Sequence, residues 1–159
     1  MKRILILAAA ALLAFTANAQ DGKSIYMKYS DAENVSAVYI SPAMFRLVGR
    51  IPELDLGSGM DVAPVIKTLE GFYLIDSDNS SKNEDIKKDV EKMVKRGTYE
   101  MLMEVKDDGE VVHIYTAGTE KTVTSFVLIS VDGGETTFIS LDGQMPREQL
   151  EKLIASAVD

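Results

Sequence analysis

Cysteine is absent from the 159 residues, and that absence removes disulfide staples, thiolate nucleophiles and cysteine-ligated zinc together. With no thiol there is also no lipid-acceptor cysteine, so a lipoprotein anchor is excluded. Histidine occurs once, at His113, which rules out a zinc site built from several imidazoles. Basic charge is scarce: 17 lysines and arginines stand against 25 aspartates and glutamates. A chain of that sign repels phosphate backbones and anionic lipid, which excludes nucleic-acid binding and a basic membrane-binding face. Beyond the first 20 residues no apolar run approaches the roughly 20 residues of a membrane span, so no transmembrane helix is expected in the mature chain. Gly-x-Ser-x-Gly is missing, and Gly57-Ser58-Gly59 lacks the lysine of a phosphate loop. No cofactor motif is present.

What is present begins with an export signal. Lys2 and Arg3 form a basic start, Ile4 to Phe15 an apolar stretch, and Ala17-Asn18-Ala19 a small-x-small cleavage site. Residues 1–19 therefore read as a signal peptide cleaved after Ala19, with 20–159 as one periplasmic or secreted domain. Cleavage would remove two basic residues and no acidic ones, leaving 15 against 25 and a net charge of about −10.

The body is organised by Thr98 to Leu141, where two turn signals, Asp108-Gly109 and Gly133-Gly134, separate arms of alternating apolar residues. Such a pattern predicts a four-stranded antiparallel meander. A two-residue turn at Asp108-Gly109 pairs Val105 with Val112 and Met103 with Ile114 on a face expected to be core. It sets Lys106 by Val111, Glu104 by His113 and Leu102 by Tyr115 on the other. Around Gly133-Gly134 both faces are apolar, with Ile129 opposing Phe138, Leu128 opposing Ile139 and Phe126 opposing Leu141, which predicts central strands.

Ahead of the meander, Ile25, Tyr26 and Tyr29 suggest a short helix, and Asn34 to Ile40 a strand. Ser41-Pro42 is a helix start whose buried face would be Met44, Phe45, Leu47, Val48 and Ile51. Pro52 to Pro64 loses all periodicity and reads as a long loop. Val65 to Leu69 suggests a helical turn and Phe72 to Ile75 a strand covered on both faces. Ser81 and Glu84 form a Ser-x-x-Glu capping box for a helix buried through Ile86, Val90, Met93 and Val94. Pro146 opens a last helix facing inward through Leu150, Leu153, Ile154 and Val158. The order predicts an α+β domain: one mixed, largely antiparallel sheet of about six strands, with helices mainly on one face and a final helix after the meander.

That order, with Ser41-Pro42-x-Met44-Phe45, the run Tyr99 to Gly109 and Leu141-Asp142-Gly143 before the last helix, resembles the exported bacterial family called domain of unknown function 4252. The resemblance implies an envelope protein of a type common in Bacteroidetes, some of them encoded near extracytoplasmic sigma factors. It implies no catalytic residues.

Several clusters invite chemistry. Asp76, Asp78 and Ser80 alternate like calcium ligands, but Ser81 stands where the turn needs glycine and Lys87 where a bidentate glutamate belongs. Glu104 and His113 would face each other across a hairpin, with Ser125, Ser130 and Ser140 on neighbouring strands, although strand serines lack the elbow and oxyanion donors of a hydrolase. Two readings remain. The first is a non-enzymatic envelope interaction or regulatory module that engages a protein partner through its sheet face or through Leu54, Leu56 and Met60 of the long loop. The second is a periplasmic carrier of a small apolar ligand held near Leu54, Met60, Met101 and Met103.

Overall fold

The computed structural model describes residues 21–49 and 63–158. Leu54, Leu56 and Met60 lie outside the described residues.

The elements run α1 (Asp21–Tyr29), β1 (Val35–Ile40), α2 (Pro42–Val48), α3 (Ala63–Ile66), β2 (Leu69–Ser77), α4 (Ser80–Arg96), β3 (Glu100–Asp107), β4 (Glu110–Gly118), β5 (Thr122–Asp132), β6 (Glu135–Pro146) and α5 (Arg147–Val158). The six strands make one open sheet in the order β1-β2-β6-β5-β4-β3, and every neighbouring pair is antiparallel.

Both hairpins close where the glycines place them. Asp107 pairs with Glu110 across Asp108-Gly109, and Asp132 pairs with Glu135 across Gly133-Gly134. Asp108 at φ 44° and Gly109 at φ 95° supply the two left-handed residues of the turn type that matches strand twist. Val105 meets Val112, Glu104 meets His113 and Ile129 meets Phe138, as the spacing requires. β5 and β6 occupy the centre of the sheet, which is why both of their faces are apolar.

The sheet has two unlike faces. On one, α1 and α4 bury Ile25, Tyr29, Ile86, Val90 and Met93 against Ile75, Val127, Ile129 and Phe138. On the other, α2, α3 and α5 gather over one end only, where Phe45, Val65 and Leu150 pack on Ile40, Phe72, Leu141 and Phe126. Those four strand residues form a single row across β1, β2, β6 and β5. Burying each large apolar side chain contributes about 1.5–3 kcal/mol, so these two clusters hold the layers together.

Four expectations are corrected. β3 contributes nothing to the core: none of its residues is fully buried, and Val105 is 42% exposed. The reason is position, because β3 is the edge strand and none of its residues joins either helix-packed cluster. A bulge between Met101 and Met103 also sets Met101, not Leu102, opposite Tyr115. Met101 and Met103 therefore do not share a face, and Met101 stands half exposed.

Next, α2 is capped as expected, with Ser41 Oγ accepting from the Met44 amide and Pro42 in the first turn. Its inward face, however, is Phe45; Met44 and Leu47 point outward at 50% and 63% exposure. A seven-residue helix resting on one end of a sheet has room for one anchor. Finally, α4 starts two residues earlier than the capping box implies. Asn79 is the cap, its Oδ1 accepting from the Ser81 and Lys82 amides, which leaves Ser81 inside the first turn.

Candidate functional site

α1 is tied to α4 through a carboxylate that the sequence did not flag. Asp89 Oδ2 accepts from Lys28 Nζ and from Tyr29 Oη, each at 2.6 Å. Burial alone would raise the Asp89 carboxyl, but the two hydrogen bonds outweigh it and hold it below the usual carboxylate range. Burial also pushes the Tyr29 hydroxyl up to about 12. Beside this lock runs an open groove of about 500 Å³ floored by Ile25 and Met93, with Lys92, Lys95 and Arg96 on its wall.

The Glu104–His113 pair forms, Nε2 to Oε2 at 2.7 Å, on the surface at the edge of the sheet. Lys106 and His113 both lower the Glu104 carboxyl. No serine joins them. Ser130 lies on the opposite face and donates to Glu110, while Ser125 accepts from Tyr99. Ser140, buried in β6, lies against Gly22 of α1. The constellation that nucleophilic catalysis would need is therefore not assembled from these residues. Nor do Asp76 and Ser80 converge: Asp76 accepts from Thr137 of β6, and Ser80 begins α4. Among the described residues no cluster of three or more metal-ligating side chains occurs.

A partly enclosed pocket of about 160 Å³ lies between α4 and the β4–β5 strands, lined by Val90, His113, Tyr115, Ile129 and Val131. Met103 pairs with Ile114 and so belongs to the other face, whereas Met101 stands opposite the pocket residue Tyr115. Ligand sites for small molecules typically run to roughly 300–1,000 Å³, so this one has space for little more than a single ring.

The most extensive unassigned feature is the open part of the second face. Val38, Leu74, Ile139, Leu128, Ile114 and Met103 are paired one to the next, forming an unbroken apolar row across all six strands. None of the six belongs to either core cluster. Val38 is 45% exposed, Leu74, Ile139, Leu128 and Met103 are half-buried, and Ile114 is at the margin of burial. One step along the strands comes a mixed row of Ser36, Asp76, Thr137, Ser130, Val112 and Val105. One step further comes a row of carboxylates, Asp107, Glu110, Asp132 and Glu135, all exposed. Sequence reasoning saw the apolar pairs and read them as covered. Only the placement of α2, α3 and α5 at one end reveals which stretch stays outside the core clusters, with Val38 exposed and the rest of the row half-buried or buried.

Among the described residues no helix is long and apolar enough to cross a membrane. A family model described as "Domain of unknown function (DUF4252)" matches residues 29–153. No curated protein and no solved structure matches the chain.

Proposed function

This chain belongs to the DUF4252 family, and from that premise we propose that it is an exported, non-enzymatic interaction module of the bacterial envelope. It acts by docking a protein partner on the open face of its sheet. The observation that carries this reading is the apolar row from Val38 to Met103, spanning every strand without a covering helix among the described residues. Contiguous apolar surface of this kind marks interaction sites, because water contact with it is unfavourable unless a partner covers it. The signal-like residues 1–19 and the acidic balance support export and argue against nucleic acid as the partner.

The carrier reading has one observation in its favour, the 160 Å³ pocket beneath α4. Its size and its separation from the open face make it the weaker account.

The test is affinity capture of the protein from native envelopes, wild type against Leu74→Lys and Leu128→Lys. Both residues are half-buried on the open face, so a lysine can extend to solvent. Partners retained by wild type and lost from both variants support the reading. An identical set recovered from all three overturns it.

A further inference from the structure

The open face also indicates what kind of partner fits it. The apolar row is six strands wide, about 24 Å at roughly 4.8 Å per strand. That is the length of about 16 residues of α-helix at 1.5 Å per residue. Across its width, the face is walled on one side by α2, α3 and α5 over the Ile40–Phe72–Leu141–Phe126 row. On the other side stands the carboxylate row, four residues along β4 from Ile114 to Glu110, or about 13 Å. A trough of that width accepts one helix of roughly 10–12 Å diameter.

The carboxylate wall is uncompensated. Asp107 faces Glu110, Glu110 faces Asp132, and Asp132 faces Glu135; like charges directly opposite one another are destabilising in a ladder. No lysine or arginine pairs with any of the four among the described residues. The Glu135 carboxyl is raised by the charges of Asp76, Asp78 and Asp132. The field along this wall is therefore negative, and whatever covers the apolar row must tolerate or neutralise it.

We propose that the occupant is an amphipathic helical segment of another protein, with apolar residues on one face and a line of lysines or arginines along one flank. The apolar face would lie on the Val38–Met103 row and the basic flank against Asp107, Glu110, Asp132 and Glu135. Charge argues against occupants from this chain itself. Residues 50–62 carry Glu53, Asp55 and Asp61 against one Arg50, and a second copy would bring a net charge of about −10 with it.

This inference rests on the docking reading above, and its test separates the two. Two synthetic 18-residue peptides with leucine at the same helical spacing are labelled, one flanked by lysine and one by glutamate. Their binding to residues 20–159 is followed by fluorescence anisotropy at low and moderate salt. The lysine peptide is expected to bind at least tenfold more tightly than the glutamate peptide. Its advantage should shrink in salt and in the double variant Glu110→Gln, Glu135→Gln, whose exposed positions leave the fold intact. Equal binding of the two peptides, with loss of both in Leu128→Lys, overturns the basic flank and keeps the docking face. Binding of the lysine peptide unchanged by Leu128→Lys and Leu74→Lys overturns both. A stable dimer in sedimentation that dissociates in Leu128→Lys would show a second copy on this face and would likewise overturn the proposal.

Discussion

Glu135 stands directly across from Asp132 at the root of the second hairpin, carboxylate to carboxylate. Asp76 and Asp78 add to the repulsion, and Asp132 does so too, raising the Glu135 carboxyl. A carboxyl raised on folding contributes stability below its unfolded value, and that contribution is lost as pH rises through the folded one. Glu135→Gln is therefore expected to raise the melting midpoint at pH 7 in low salt and to leave it unchanged near pH 3. Thermal melts at the two pH values check this, and added salt should shrink the gain.

Asp89 runs with the opposite sign. Its carboxyl is held low in the fold by Lys28 and Tyr29 despite burial, so its contribution is present above the ordinary carboxylate range and is lost as pH falls through the folded value. Asp89→Asn should destabilise the protein at pH 7 and flatten the acid limb of its stability profile. Tyr29→Phe removes one of the two hydrogen bonds at a nearly fully buried ring and should cost about 1 kcal/mol in urea denaturation.

The helix cap discriminates between two candidates two residues apart. Asn79→Ala removes the acceptor for the Ser81 and Lys82 amides and should cost about 1 kcal/mol. Ser81→Ala, inside the first turn, should cost less than half of that. Equal losses in urea titrations would contradict the assignment.

Two glycines differ for a physical reason. Gly109 has φ 95° with open space where a Cβ would sit, so Gly109→Ala should cost only backbone strain, about 1–2 kcal/mol. At Gly118, φ 143°, an added Cβ would run into the Thr122 carbonyl oxygen. Gly118→Ala therefore adds a backbone clash to the strain, and it should be clearly the more damaging of the two in chemical denaturation.

The hairpins were legible because Asp-Gly and Gly-Gly dictate turn geometry, and from the turns the register of β3 to β6 follows by counting. The count fails at Leu102, where a bulge moves Met101 opposite Tyr115; nothing in Met101-Leu102-Met103 announces an extra residue. The Ser-x-x-Glu spacing at Ser81 was a real pattern in the wrong register, since Asn79 is an equally good cap two residues earlier. The open stretch of the sheet was hidden for a different reason. Leu74, Leu128 and Ile139 are as apolar as Ile75, Ile129 and Phe138, and alternation cannot say which set a helix covers. That depends on where α2, α3 and α5 come to rest, and therefore on tertiary packing. The residues singled out in the long loop, Leu54, Leu56 and Met60, lie outside the described structure, so the open face is argued without them.

Placing a photo-crosslinking amino acid at Leu128, and separately at the exposed Lys88 of α4, in cells that produce the protein tests the proposed docking face most directly. A discrete adduct from position 128 and none from position 88 is the predicted result. Adducts of the same size and yield from both positions, or from position 88 alone, would contradict it.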